Sequence, residues 1–236
     1  MVCKSPDPRD KRLRTSILVE SKGKTIVVDT GPDFRQQMLR EKVKHMDAVL
    51  FTHEHKDHTA GLDDIRAFNF ILKKRIDVYA DLRVQAAIRR EFAYIFEDFK
   101  YPGIPEIDFH IIENKAFQIQ EVQVLPIEVM HYKLPVFGFR FSDFVYITDA
   151  KSISESEKKK IRGCKVLVIN ALRRKSHVSH FTLDEALELI KELNPDTAYL
   201  THISHQLGLH AEVEKELPLN VFQAFDGLKL EIGEYF

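Results

Sequence analysis

The sequence predicts an α/β protein in which apolar strands alternate with amphipathic helices. Two observations support this. Short apolar runs recur along the chain, and segments with apolar residues at helical spacing lie between them. The chain has 236 residues, of which 44% are hydrophobic and 30% charged, an ordinary composition for a folded protein and a size that one α/β core can fill. We therefore expect residues 1–236 to form a single domain.

Each strand is predicted from β-branched and aromatic residues, and each helix from apolar residues three or four positions apart. The first helix is also marked by Pro32, because proline is favoured in a first helical turn. In chain order the predicted elements are an antiparallel strand pair (15–20 and 24–30), a helix (32–42), a strand (48–51), two helices (59–74 and 81–99), five strands (107–112, 122–129, 136–142, 144–148 and 165–169), a helix (182–193), a strand (197–200) and a closing strand pair (222–232).

The charge balance and the cysteine count exclude several classes of protein. The chain has 35 basic and 36 acidic residues, so no overall field attracts nucleic acid, a membrane surface or an acidic partner. Two cysteines, Cys3 and Cys164, cannot build a disulfide framework. No apolar run approaches the roughly 18 residues of a membrane span, and no leader pattern precedes Arg9. We expect a reduced, cytoplasmic protein that does not enter a membrane.

Four of the apolar strands end at a residue that can bind a metal ion. The runs AVLFT, IEVM, FVYIT and AYLT are followed directly by His53, His131, Asp149 and His202. The ends of strands are where α/β sheets gather their ligands, because the sheet holds the backbone while the loops carry polar groups. The four strand ends therefore predict one site.

The segment THEHKDH (52–58) adds ligands at one of these strand ends. His53 and His55 are two residues apart, so an extended turn directs both to one ion, whereas Asp57 and His58 begin the next helix and face a second ion. Imidazoles suit zinc, manganese or iron, and a carboxylate can bridge two such ions. The predicted ligands are His53, His55 and His131 for one ion, Asp57, His58 and His202 for the other, and Asp149 between them.

Each of these residues could have an ordinary structural role instead of binding a metal ion. A single histidine such as His131 or His202 is more often structural than a ligand, and Asp149 alone suits a cap or a turn. The joint pattern favours a site for two divalent metal ions.

The motif His53-x-His55-x-Asp57-His58, with His131, Asp149 and His202, resembles the signature of the metallo-β-lactamase superfamily. This resemblance implies an αββα sandwich with a two-metal site at the edge where loops of the two sheets meet. A zinc β-lactamase would carry cysteine at the place of Asp149, and a flavodiiron protein would lack one histidine of the motif.

Three further segments, SHFTLDEALEL, LTHISHQ and FDGLKLEI, resemble the PhnP-type cyclic phosphodiesterases of the ribonuclease Z-related branch. The resemblance implies that His180 lies near the leaving group and that His202 is the last metal ligand. It also implies a structural zinc site, for which Cys3 and His205 are the matching residues. The earlier cysteines and a glycine-rich first strand have no counterpart, so we expect that the N-terminal strand is missing and that Met1 is not the native start.

The implied function is hydrolysis of a small phosphodiester, cyclic ones included, by a hydroxide that two metal ions activate. In this mechanism Asp57 orients water as well as metal. His180, with a pKa near the usual value of about 6.5, protonates the leaving oxygen. Asn170 is expected to bond to a ligand histidine, and Arg173, Arg174 and Lys175 either bind phosphate or form a solvated loop.

Other functions stay open. A nuclease of the ribonuclease Z type would use the same metals, but it normally needs a tRNA-clamping arm, and no such insertion is evident, so nucleic acid is not the favoured partner. A thioesterase or lactonase-like hydrolase and a non-catalytic metalloprotein are the remaining alternatives. The apolar face of segment 81–99 favours a homodimer.

Overall fold

The computed structural model describes residues 2–99 and 101–233 and divides into two compact units. The first unit is Arg14–Val122, and the second combines Met1–Leu13 with Gln123–Phe236, as far as those residues are described. Each unit has its own apolar core. The single domain over 1–236 stays a prediction, and the prediction about Met1 lies outside the described residues.

The first unit contains a five-stranded sheet with the order β1-β2-β3-β4-β5. Strands β1 and β2 are antiparallel, whereas β2 to β5 run parallel. The five strands of this sheet are β1 (Ile17–Ser21), β2 (Lys24–Val28), β3 (Ala48–Leu50), β4 (Ile76–Ala80) and β5 (Ile107–Ile111), and β6 (Phe117–Ile119) is a further strand of this unit outside that sheet. The helices are α1 (Phe34–Arg40), α2 (Lys56–Thr59), α3 (Arg66–Leu72) and α4 (Leu82–Glu91), with short 3₁₀ helices at Leu62–Ile65 and Ala93–Ile95.

Local sequence explains most of this unit. The β1–β2 turn consists of Lys22 and Gly23, both with positive φ, which is the two-residue turn that matches the twist of a hairpin. Strand β4 was not predicted, because its alternating, half-buried pattern follows a helix without a strong turn signal. The predicted helix over 81–99 ends earlier, at Glu91, and continues as one 3₁₀ turn.

In the second unit, β7 to β12 are neighbours in the order β12-β11-β10-β9-β8-β7. Strands β7, β8 and β9 are antiparallel, and β9 to β12 run parallel. The strands are β7 (Val122–His131), β8 (Leu134–Phe141), β9 (Phe144–Ile147), β10 (Val166–Asn170), β11 (Thr197–Thr201) and β12 (Val221–Gln223). The helices are α5 (Glu155–Ile161), α6 (Leu183–Leu193) and α7 (His210–Val213), with 3₁₀ helices at Val2–Lys4, Pro8–Asp10 and Glu214–Glu216.

Helix α6 begins at a complete capping box. The Thr182 hydroxyl accepts a hydrogen bond from the Glu185 amide, and the Glu185 carboxylate accepts one from the Thr182 amide. The predicted closing strand pair over 222–232 is wrong. Only Val221–Gln223 forms a strand, and Asp226 instead accepts a hydrogen bond from the Leu13 amide.

Among the described residues, no helix has the length and apolar character needed to cross a membrane.

Candidate metal centre

The histidine motif of the first unit lies at the carboxyl edge of its parallel strands. Strands β2 and β3 are in parallel register, and the Asp29 amide donates to the Leu50 carbonyl at 2.8 Å. The chain therefore leaves the sheet at neighbouring points, at Asp29 after β2 and at His53 after β3. This is the placement expected for His53 from the strand-end pattern.

Three imidazoles of the motif come together. Nε2 of His53 is 3.0 Å from Nδ1 of His55, and the ring centroids of His53 and His58 are 4.2 Å apart. His53 and His58 are buried, and Nε2 of His58 lies 3.8 Å from Oδ2 of Asp57. The spacing of THEHKDH thus gathers all four predicted ligands of this unit, with their donor atoms close to one another.

Asp29, which the sequence analysis did not identify, sets the protonation of two of these histidines. Its carboxylate is fully buried and accepts hydrogen bonds from the Thr52 amide, the Thr52 hydroxyl and Nδ1–H of His58 at 2.9, 2.8 and 2.7 Å. Because the Thr52 hydroxyl proton is directed to Asp29, its oxygen accepts from Nδ1–H of His53 at 3.0 Å. Nε2 of His53 and of His58 is therefore the unprotonated nitrogen, the one that can bind a metal.

Two glycines allow the loops that carry Asp29 and the histidines to approach each other. A Cβ on Gly31 would overlap the Asp57 carbonyl oxygen, and one on Gly61 would overlap the Gly31 carbonyl oxygen. The backbone is closed by hydrogen bonds from Thr30 to His58 and from Gly61 to Thr30, both 2.8 Å. Glycine is required at both positions because no side chain fits between the two loops.

The second unit gathers its own ligands at the ends of parallel strands. Asp149 and His202 follow β9 and β11, and Oδ1 of Asp149 is 3.2 Å from Nε2 of His202. Oδ2 of Asp149 is 3.6 Å from Nε2 of His180. The three ligand atoms lie within 4.8 Å of one another, which is compatible with a shared metal ion.

His131, at the end of β7, lies beside this group, with its ring centroid 4.6 Å from that of His180. Its Nδ1–H donates to the Ser179 carbonyl at 2.9 Å, so Nε2 is again the nitrogen that can bind metal. The SHVSH loop therefore contributes Ser179 as an anchor for His131 as well as His180 itself. The anchoring carbonyl has no sequence signal, because any residue type provides one.

Asn170 has a different role from the one predicted. Both of its amide atoms bond to the backbone of Ala150, accepting from its N–H at 2.8 Å and donating to its carbonyl at 2.9 Å. The predicted bond to a ligand histidine is thus wrong, since this buried amide is occupied by the residue that follows Asp149. Asn170 holds the turn that presents Asp149.

The expectation that His180 titrates near its usual value is also wrong. Burial lowers the pKa of His180 to about 3, against a weaker raising effect of the Asp149 charge. Its Nδ1 is buried and has no hydrogen-bond partner in the described part of the chain. His180 is therefore neutral at neutral pH, and its Nε2 is directed at the same carboxylate as His202.

The guanidinium groups of Arg173 and Arg174 donate hydrogen bonds to other residues of the second unit. Arg173 donates to Gln206 Oε1 at 2.8 Å and to the Ser176 carbonyl at 2.9 Å. Arg174 donates to the Leu207 carbonyl and to Glu216. These hydrogen bonds stabilise the loop before His180. They explain the presence of the two arginines without a bound phosphate.

The structural zinc site receives no support from clustering. Cys3 and His205 are both exposed, and among residues 2–99 and 101–233 no group of three or more ligand-type side chains includes either of them. A structural metal at Cys3 and His205 stays a prediction.

The residues of both units fit divalent metal ions. The anchored Nδ1 atoms of His53, His58 and His131 leave Nε2 as the ligand atom, and Asp149 is a nearly buried carboxylate between histidines. Imidazole and carboxylate are the usual ligands of zinc, manganese and iron in proteins.

Comparisons with known proteins agree with the fold. Residues 24–203 match the model of the beta-lactamase superfamily domain. A crystallised diphosphatase of the PhnP family is 37% identical, with a TM-score of 0.92 over 99% of this chain and 90% of that one. A ribonuclease Z from Methanopyrus kandleri is 27% identical over 95% of this chain and 94% of its own length.

An octanoyltransferase from Porphyromonas gingivalis is 39% identical over 99% of this chain, but the aligned region is only 48% of that protein. The chain thus spans about half the length of this relative.

The chain belongs to the metallo-β-lactamase superfamily of metal-dependent hydrolases and has the fold of that superfamily. The predicted likeness to PhnP-type and ribonuclease Z-type proteins is confirmed.

Proposed function

We propose that the protein is a phosphodiesterase that uses two divalent metal ions to hydrolyse a small phosphodiester. The observation that carries the metal-dependent chemistry is the anchoring of Nδ1 in His53, His58 and His131, which leaves Nε2 of each ring for a metal. The phosphoester substrate is supported by the 37% identity to a diphosphatase of the PhnP family.

The ligand assignment follows the family motif. His53, His55 and His131 would hold one ion, Asp57, His58 and His202 would hold the other, and Asp149 would be available to both. Zinc and manganese are the favoured metals, and iron is the alternative. When bound, such ions activate water near neutral pH and neutralise charge on a phosphate.

The chain's own residues would orient the metal ligands, the water molecule and the leaving group. Thr52, Asp29 and Ser179 accept from Nδ1–H of His53, His58 and His131, so that Nε2 of these three rings stays unprotonated. Asp57, half-buried beside His58, would orient a water molecule by accepting its hydrogen bond. His180 stands next to Asp149, where it can donate a proton to the leaving oxygen if the bound substrate's negative charge restores one to its imidazole.

A thioesterase is the second candidate, because a relative of 39% identity is named an octanoyltransferase. The same ligands would then act on a carbonyl carbon instead of phosphorus. A ribonuclease Z-type activity is less favoured, as the sequence shows no clamping arm.

Elemental analysis combined with a substrate panel tests the proposal. We expect two ions per chain after reconstitution, and turnover of bis(p-nitrophenyl) phosphate or a cyclic nucleotide above that of a neutral octanoyl thioester and a tRNA precursor. Fewer than one ion per chain would reject the metal site. Preference for the thioester or the tRNA would transfer the assignment to that class, and full metal loading without turnover of any substrate would indicate a non-catalytic metalloprotein.

A further inference from the structure

Arg14 places an exposed guanidinium next to a proposed metal ligand in the first unit. Its Nη1 is 3.8 Å from Oδ2 of Asp57, and its side chain is 59% exposed. The same Oδ2 is 3.8 Å from Nε2 of His58. A single carboxylate oxygen therefore separates Arg14 from a nitrogen that faces the metal.

The backbone of Arg14 is held in place while its guanidinium is not. The Arg14 amide donates to Asp33 Oδ2 at 2.7 Å, and its carbonyl accepts from Gln37 Nε2 at 2.8 Å. The 3.8 Å separation from Asp57 is too long for a hydrogen bond, and the guanidinium donates none to any described residue. More than half of its side chain is open to solvent beside the site.

Charge explains why an arginine at this position needs an anionic partner. Once Asp57 binds a cation, its negative charge is shared with the metal, and Arg14 lies beside net positive charge, which is unfavourable without an anion. Other arginines of this unit donate to carboxylates that are not proposed metal ligands. Arg83, for example, donates to both Glu54 and Asp81.

We propose that Arg14 binds a phosphate oxygen of the substrate and of the product, and so selects anionic phosphate esters over neutral esters and thioesters. This inference rests on the proposed function, whose substrate class it narrows. Guanidinium is suited to the role because it is always charged and its paired N–H groups match phosphate oxygens.

Three variants test the assignment: Arg14→Gln, Arg14→Lys, and Arg66→Gln as a control, since Arg66 is a similarly exposed arginine (53%) that pairs with Asp63 in the same unit. Two measurements are made on metal-loaded protein. The first is binding of inorganic phosphate by calorimetry, together with metal content. The second is kcat/KM for bis(p-nitrophenyl) phosphate and for the neutral thioester S-octanoyl-N-acetylcysteamine.

We expect Arg14→Gln to keep its metal, to bind phosphate about 10- to 100-fold more weakly, and to lose a similar factor in kcat/KM on the phosphodiester, as for the loss of one charged hydrogen bond. Arg14→Lys should recover part of this loss, and Arg66→Gln should match the wild type. Any activity on the thioester should be unchanged by Arg14→Gln.

The outcomes separate this inference from the function on which it rests. Unchanged phosphate binding in Arg14→Gln, or equal losses on both substrates, would overturn the role of Arg14 while leaving a phosphodiesterase. Loss of metal in Arg14→Gln would reassign Arg14 to positioning Asp57. If the wild type hydrolyses no phosphodiester but binds phosphate through Arg14, the subsite stands and the proposed reaction fails.

Discussion

Three residues at the proposed metal centre have left-handed backbone conformations. Asp29, Asp149 and His202 have φ values of 66°, 57° and 51°, a region that non-glycine residues seldom adopt. Each follows the end of a strand, where the turn directs a polar side chain away from the sheet. Strain of this kind persists where neighbouring contacts hold it, as Thr52 does for Asp29 and Asn170 does for the turn after Asp149.

Asp29→Asn should lower metal affinity by about 10- to 100-fold, although no metal ligand is removed. The amide keeps the size of the carboxylate but replaces one acceptor oxygen with a donor. Either the Thr52 amide, which bonds to Oδ1, or both Nδ1–H of His58 and the Thr52 hydroxyl, which bond to Oδ2, then lose their acceptor. Competition with a chromogenic chelator measures the change. Asp108→Asn, which changes an exposed aspartate of the same unit that pairs with Arg75, serves as the control, and equal affinities in the two variants would contradict the role of Asp29.

His180→Ala should keep the metal ions and lower turnover by about 10²–10⁴-fold if His180 supplies a proton to the leaving group. An alkyl leaving group needs this proton, whereas p-nitrophenolate hardly does, so the loss should be larger on an alkyl phosphodiester. Metal content and kcat on the two substrates are the measurements. The pKa of His180 is about 3 in the metal-free protein, so its imidazole is not readily protonated there. Equal losses on both substrates would therefore assign His180 to metal binding or to structure instead of proton donation.

At the scale of elements, the loop contact between Gly31 and Gly61 joins the end of β2 to the segment after α2. Gly61→Ala should reduce the free energy of unfolding by about 1–3 kcal/mol, since the added methyl group overlaps backbone atoms that hydrogen bonds hold in place. Metal affinity should fall as well, because His58 is bonded to the same turn. Gly233→Ala, which has open space around it, is the matched control in denaturant unfolding.

An unchanged stability of Gly61→Ala relative to Gly233→Ala would show that the two loops separate easily. The histidine motif would then owe its arrangement to metal binding alone.

At the scale of the whole molecule, buried histidines couple stability to pH. Burial lowers the pKa of His180, and desolvation also lowers the pKa of His177 and His210. Between the unfolded value of about 6.5 and the folded value, the unfolded chain binds more protons, so stability is complete above pH 6.5 and falls as the pH decreases toward 3.

We expect the metal-free protein to lose stability from pH 6.5 to pH 4.5, a window above most carboxylate titrations, by up to about 1.4 kcal/mol per pH unit from His180, and the lowered pKa values of His177 and His210 act in the same direction. His180→Gln should flatten this slope, because the side chain no longer titrates. Urea unfolding at several pH values gives the measurement. A stability that is constant across the window in the wild type would contradict the lowered pKa values.

Much of the fold could be read from local patterns, since a hairpin turn such as Lys22-Gly23, a capping box at Thr182 and buried apolar runs are encoded by neighbouring residues. Strand β4 and the irregular segment after Gln223 could not, because a short half-buried strand and an Asp-Gly turn are decided by the neighbours with which they pair. The homodimer on segment 81–99 stays a prediction.

The sequence by itself determined the ligand types, because the chemistry of metal binding requires histidine and aspartate and the spacing of THEHKDH is local. It also determined the superfamily, through motifs that are distinctive without coordinates. Only the tertiary structure decided which nitrogen of His53, His58 and His131 is unprotonated, that Thr52, Asp29 and Ser179 anchor them, and that Asn170 bonds to Ala150. The same holds for the low pKa of His180 and the position of Arg14, since burial and contacts between distant residues arise only when the folded chain brings them together.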